Sequence, residues 1–138
     1  VAALEMLADA GIVAEPFDRP ETALRVLVGG VYVESGAAHA LGLVEVQDAG
    51  SQIVADLIDA RPGSSVLDLC AGAGGKTLAL AASMHNTGRL LACDTGPVRL
   101  KRLAPRAARA GATIVETRLL PEDWLGGPAP CAGSPWRR

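Results

Sequence analysis

Hydrophobic and polar positions in the first 45 residues predict a small α+β module. Residues 1–15 place their apolar side chains on one face of a short helix, and Gly11 is a suitable residue to end it. Residues 24–33 hold β-branched side chains on both sides of a Gly-Gly pair, which is typical of two strands joined by a tight turn. Residues 34–42 are small and are predicted to form a loop. This module carries no recognisable chemistry.

After residue 45 the pattern alternates between helix and strand. A helix is predicted over 48–59, with Asp48 or Ser51 as its N-cap. The elements that follow are a short buried strand over 65–69, a helix over 76–85, a strand over 89–93, a helix over 97–110 kinked by Pro105, and a strand over 113–117. The order β-α-β-α-β predicts an α/β domain with a parallel sheet and right-handed crossovers.

Composition narrows the possible functions. The chain has 138 residues, of which 49% are hydrophobic and 20% charged, and its net charge is −2. The length and the hydrophobic fraction suit one globular domain. The negative net charge excludes a domain that holds nucleic acid by positive charge alone. Aromatic residues make up only 3%, too few for a sheet that stacks bases. No apolar run reaches about 18 residues and the N-terminal segment is not basic, so we expect neither a membrane span nor a signal peptide.

The cysteines indicate no metal and no disulfide. Cys70, Cys93 and Cys131 are an odd, widely spaced set without a CxxC pair, and the two histidines are isolated. We therefore expect a reduced, metal-free protein of the cytoplasm. Cys93 ends a strand and is interpreted as a small core residue.

A glycine-rich turn, CAGAGG, separates the first strand of the predicted sheet from the next helix. A Walker loop would need glycine in place of Cys70, and a dinucleotide fingerprint would need glycine in place of Thr77. The third alternative is a fold that binds S-adenosylmethionine (SAM). Asp94, at the end of the second strand, lies 19 positions after Gly75, close to the spacing of a ribose-binding carboxylate. A tight turn that binds no ligand stays open as a fourth alternative.

Two further expectations concern this turn. Asp68 ends the first strand and is expected to cap the turn by accepting hydrogen bonds from its backbone. Gly74 is expected to lie directly beneath the cofactor, where a side chain would either clash or require a strained backbone.

The block LDLCAGAGGKT, residues 67–77, resembles the SAM motif LDLCAAPGGKT of the RsmB/Sun type of RNA (cytosine-5)-methyltransferases. Residues 42–52 are similar to the segment that precedes this motif in the family, and residues 92–103 to its second motif. The final PAPCAGSPWRR is similar to the family's DAPCSGSGTWRR. The resemblance implies a Rossmann-like methyltransferase fold, with an incomplete sheet in this chain. It also implies that SAM is the cofactor and that the substrate is RNA, specifically ribosomal RNA.

The resemblance also implies individual roles. Asp94 would bind the ribose of SAM, and Arg99 would lie near the cofactor. The loop residues that would contact SAM are Cys70, Ala71, Gly72, Ala73, Gly74, Gly75 and Lys76. Cys131 would be the catalytic cysteine that helps to release the methylated product. In this family a thiolate attacks C6 of cytosine, which makes C5 nucleophilic toward the methyl group.

The sequence departs from the family pattern at three points. Ala73 replaces a proline of the loop, and Pro128 stands where the family has an aspartate that holds the cytosine. The Thr-Cys-Ser motif that supplies the attacking thiolate does not occur in the 138 residues. We therefore expect a piece or a decayed copy of such an enzyme, inactive alone. Its domains would be a module over 1–45 and a partial SAM-binding domain over 46–138.

Two other functions remain as alternatives at this stage. One is a degenerate module that binds SAM or RNA without turnover, and the less favoured one is a nucleotide-dependent oxidoreductase. A basic run on the second crossover helix is interpreted as a solvated face rather than an RNA contact. Its members are Arg99, Lys101, Arg102, Arg106 and Arg109. The sequence gives neither the target nucleotide nor the oligomeric state.

Overall fold

The computed structural model describes residues 2–124. The N-terminal elements are α1 (Ala2–Asp9), β1 (Val13–Pro16), β2 (Leu24–Val28), a 3-10 turn (Gly30–Tyr32) and α2 (Ala37–Ala40). The elements of the second part are α3 (Ala49–Asp56), β3 (Ser65–Asp68), α4 (Gly75–Ser83), β4 (Arg89–Asp94), α5 (Pro97–Lys101), α6 (Leu103–Arg109) and β5 (Val115–Leu119). Pro128 and Cys131, singled out in the sequence, lie outside the described residues.

The N-terminal module is α+β, but its strands pair differently from the prediction. The helix ends at Asp9 rather than near residue 15, and Val13–Pro16 forms a strand. That strand pairs antiparallel with Leu24–Val28. The predicted hairpin across Gly29 is therefore wrong, because residues 30–32 turn into a 3-10 helix instead of a returning strand. The predicted loop over 34–42 contains the short helix α2.

The parallel sheet is confirmed. Its order is β3-β4-β5, with both pairs parallel, α4 connecting the first two strands and α5 with α6 connecting the last two. The central strand β4 is buried from Leu90 to Asp94. The prediction that β3 is buried is wrong: Ser65 and Leu67 are exposed, because β3 has a neighbour on one side only among the described strands.

Two apolar clusters lie on the face of the sheet to which Leu90 and Ala92 of β4 point, and a smaller one with Leu91 and Cys93 lies on the opposite face. One packs Leu80 of α4, Met84 at the end of that helix and Ala55 of α3 against Leu90. The other brings Leu103 of α6 together with residues of α4, α5 and β4, and its buried members are Ala71, Leu78, Ala92, Leu100, Leu103 and Ala107. Burial of these side chains fixes the helices against the sheet. The carboxyl ends of β3 and β4 meet at one edge because the two strands are parallel.

The second crossover helix is broken, as Pro105 predicts. It divides at Arg102 into α5 and α6, since proline lacks the N–H that would bond to the carbonyl of Lys101. The third strand lies at residues 115–119 rather than 113–117. The side chain of Asn86 bonds to Gly111 O, Thr113 Oγ1 and Ile114 N, which holds this stretch as a turn before the strand begins.

Candidate cofactor-binding site

The glycine-rich loop is fixed at its base by Asp68, the last residue of β3. Its carboxylate accepts a hydrogen bond from Cys70 N at 3.3 Å and from Thr77 Oγ1 at 2.7 Å. Thr77 is fully buried in the first turn of α4. One carboxylate thus joins the start of the loop to the helix that follows it, as the capping role predicted for Asp68 requires.

The loop is also tied to the neighbouring elements. Ala71 N donates to Cys93 O of β4 at 2.9 Å, and Gly74 N donates to Ala71 O at 2.8 Å. Arg106 of α6 donates from Nη1 to Ala73 O at 2.8 Å. The backbone of the loop therefore has partners on both β4 and α6.

Asp94 lies at the carboxyl end of β4, beside the loop. Its Oδ2 accepts from Gly72 N at 2.8 Å, and its Oδ1 accepts from Gly96 N at 2.6 Å and from Arg99 Nη2 at 2.9 Å. Only 3% of the residue is exposed. Burial opposes ionisation, but the two backbone N–H donors and the Arg99 charge outweigh it, so the pKa of Asp94 lies below its usual value. The site therefore holds a buried carboxylate in its charged form.

The space beside Gly72 suits a ligand that donates a hydrogen bond. Gly72 has a φ of +56°, and a Cβ there would meet nothing nearer than Asp94 Oδ2, at 4.0 Å. A carboxylate offers about four acceptor positions, and the contacts of Asp94 use three of them. Oδ2, which accepts once, can take another donor from the side where Gly72 leaves room. A ribose hydroxyl is such a donor.

Gly74 is required for a different reason from the predicted one. Its φ of +91° is strained for other residues, as expected. A Cβ would point at Leu103, however, and would come within 2.0 Å of Cδ1. Leu103 is fully buried. Gly74 thus packs against the core, and the open side of the loop lies at Gly72.

The remaining candidates of the loop differ in exposure. Cys70 and Lys76 are exposed, whereas Ala71 is buried beneath the loop. Cys93 is fully buried, in agreement with its interpretation as a core residue. Arg99 reaches Asp94 while most of its side chain stays exposed. The structure therefore brings Gly72, Asp94 and Arg99 together at the edge of the sheet.

The basic run is not one solvated face, which corrects the sequence interpretation. Arg106 and Arg109 are each about three-quarters buried and both contact Glu45, from the segment before α3. The sequence analysis missed Glu45 entirely. The spacing of Arg106 and Arg109, three residues apart on one helix face, was the available signal of a shared acidic partner.

Residues 55–133 match the family described as 16S rRNA methyltransferase RsmB/F. The chain belongs to this family. The ribosomal RNA small subunit methyltransferase B of Yersinia enterocolitica is 37% identical over 89% of this chain. The alignment covers 29% of that relative, so the chain spans less than a third of its length.

Solved structures agree with the methyltransferase fold. The crystal structure of PH0851 matches 87% of this chain and 27% of that chain, with 31% identity and a TM-score of 0.79. A SAM-dependent O-methyltransferase of Thermotoga maritima matches 77% of this chain and 39% of that chain, with 17% identity and a TM-score of 0.53. The latter likeness concerns the fold alone. SAM is the cofactor of this methyltransferase family, which confirms the expectation from the sequence.

A cavity of about 400 Å³ borders the cofactor loop at Gly75. That cavity lies between the segment over 42–47, α4 and the turn after α6, and it is lined by neither Gly72 nor Asp94.

Within residues 2–124, no group of three or more potential metal ligands lies close together. In the same range no helix has the length and apolar character needed to cross a bilayer.

Proposed function

We propose that this chain is the SAM-binding part of an enzyme that methylates C5 of cytosine in ribosomal RNA. The observation that carries the proposal is the buried, ionised Asp94 beside the open position at Gly72. The RsmB/F family and its rRNA-methylating relatives supply the substrate class. A ribosomal RNA substrate implies a cytoplasmic location.

Asp94 is proposed to orient the cofactor through its ribose. A ribose hydroxyl would donate to Oδ2, while Gly72 N and Gly96 N hold the carboxylate in place. Because Asp94 is already charged and fixed, little reorganisation accompanies binding. Arg99, whose side chain is mostly exposed, balances part of the negative charge of Asp94. The loop from Cys70 to Lys76 is proposed to line the cofactor.

SAM supplies an electrophilic methyl group on a sulfonium, and this chain's residues are proposed to position that group. Methyl transfer to C5 also requires a thiolate at C6, since C5 of cytosine is otherwise a poor nucleophile. Cys131 is the chain's cysteine in a family-like Pro-Cys context, where the resemblance assigns it product release. Pro128 stands in place of the aspartate that holds the base. We therefore propose that these 138 residues bind SAM but do not methylate RNA.

The test is a pair of measurements on the purified chain. Calorimetry with SAM should show saturable binding, and NADH in the same assay should show none. Tritium transfer from labelled SAM to unmodified ribosomal RNA should stay at the no-enzyme level. Methylation that is lost in Cys131→Ala would contradict the role given to that cysteine. If the chain does not bind SAM, the remaining alternative is a degenerate module that binds RNA without turnover.

A further inference from the structure

Arg106 connects three parts of the chain that are distant in sequence. From α6, its Nη1 donates to Ala73 O at 2.8 Å, and its Nη2 donates to Glu45 Oε2 at 2.9 Å. Its Nε also points to Glu45 Oε2, at 3.3 Å. The Arg106 and Glu45 side chains are 23% and 20% exposed. The guanidinium therefore sits largely out of water between the cofactor loop and the segment before α3.

The carbonyl that Arg106 holds lies at the least regular point of the loop. Ala73 is flanked by Gly72 and Gly74, which both have positive φ values. Backbone at such positions has no helix or strand ladder to fix it, so single hydrogen bonds decide its direction. Ala73 O shares its peptide unit with Gly74 N, which donates to Ala71 O at 2.8 Å. Ala71 O in turn shares its peptide unit with Gly72 N, the donor to Asp94, so the carbonyl held by Arg106 is connected to the Asp94 contact.

We propose that Arg106 is a positioning residue for the cofactor loop, and that Glu45 holds it in place. This inference rests on the proposed function, because it gives a second group of residues that sets the affinity for SAM. Through Glu45, the end of the N-terminal module contacts the residue that holds the cofactor loop. Arginine suits the task because its planar fork presents Nη1 to the carbonyl and Nη2 to Glu45, whereas a lysine ammonium has no such fixed fork.

The chain contains a matched control in Arg109. It lies one turn further along α6, is 24% exposed, and donates to Oε1 of the same Glu45. Its side chain pairs with Glu45, whereas the bond to the loop carbonyl comes from Arg106. Replacing Arg109 therefore removes an ion pair with Glu45 of similar burial but keeps the bond to Ala73.

The test measures SAM affinity by calorimetry at a temperature where circular dichroism shows each variant folded. Arg106→Gln should bind SAM about tenfold more weakly, as expected when a charged hydrogen bond to the site is lost. Arg109→Gln should change affinity less than about twofold, and Arg106→Lys should lie between them. Glu45→Gln combined with Arg106→Gln should bind no worse than Arg106→Gln alone, because both act through one connection.

A second measurement does not depend on SAM. Hydrogen exchange of the loop amides, Gly72 above all, should be faster in Arg106→Gln than in the wild type and unchanged in Arg109→Gln. Equal affinity and equal exchange in the two arginine variants would overturn the inference while leaving the proposed function intact. A wild-type chain that binds no SAM would instead refute the proposed function, and the exchange rates would then decide the inference alone.

Discussion

Gly74 should be the position in the cofactor loop where an added methyl group costs the most stability. The left-handed backbone at this residue costs a non-glycine residue about 1–2 kcal/mol. The Cβ would also approach Leu103 Cδ1 to within 2.0 Å, and Leu103 is fully buried and cannot move aside without disturbing α6. Overpacking of this kind costs about 1–3 kcal/mol.

The two contributions together predict a loss of about 2–5 kcal/mol for Gly74→Ala, a large share of the ~5–15 kcal/mol that keeps a domain folded. Gly72→Ala is the matched control. It shares the positive φ, but its Cβ meets open space, so only the backbone cost of about 1–2 kcal/mol applies. Its methyl group would enter the space proposed for the cofactor.

The assay is urea unfolding of both variants, followed by SAM titration of the folded chains. Gly74→Ala should lose more stability, whereas Gly72→Ala should lose more SAM affinity relative to its stability. Equal stability losses would show that Leu103 does not confine Gly74. A Gly72→Ala chain with wild-type affinity would show that the cofactor does not lie against this side of the loop.

Three further outcomes follow from the same contacts. The pKa of Asp94 is below its usual 3.8, so its contribution to stability is complete above about pH 4 and is lost as the pH falls through the folded-state value. Asp94→Asn should flatten the acid side of the stability curve more than the exposed control Asp59→Asn, and equal flattening would contradict this. Thr77→Val should cost about 1–3 kcal/mol in urea unfolding, because the Asp68 carboxylate loses a buried hydroxyl donor; a neutral effect would contradict the capping role. Thiol labelling should modify Cys70 quickly, more slowly with SAM present, and should spare buried Cys93 until the chain unfolds; rapid labelling of Cys93 would contradict its burial.

Local sequence signals were enough for the sheet and for the position of Asp94. Strand, glycine turn and helix follow each other within a few residues, and a parallel β-α-β order has few possible arrangements. Asp68 and Asp94 end β3 and β4, and parallel strands bring these two ends to one edge of the sheet. Of the two predicted N-caps of α3, Asp48 and Ser51, the structure confirms Asp48, whose carboxylate accepts from Gly50 N two residues away.

Contacts between distant residues escaped the sequence analysis. The hairpin around Gly29 was wrong because Leu24–Val28 pairs with Val13–Pro16, earlier in the chain, and no local pattern distinguishes the two partners. Glu45 and Arg106 are 61 positions apart, so their pairing depends on the packing of α6 rather than on spacing.

The role of Gly74 depends on the same packing. Its positive φ follows from the local turn and was expected, but the direction of a Cβ at that position depends on where α6 places Leu103. Residue type alone therefore could not separate a glycine that faces the core from Gly72, which faces open space.

The most direct test of the account is calorimetric titration of SAM into the wild-type chain and into Asp94→Ala, with folding of both checked by circular dichroism. Loss of a charged acceptor for the ribose predicts that the variant binds more weakly by about 1–3 kcal/mol, while the wild type binds saturably. Equal SAM affinity in the two folded proteins would contradict the assignment of Asp94, and with it the placement of the cofactor beside Gly72.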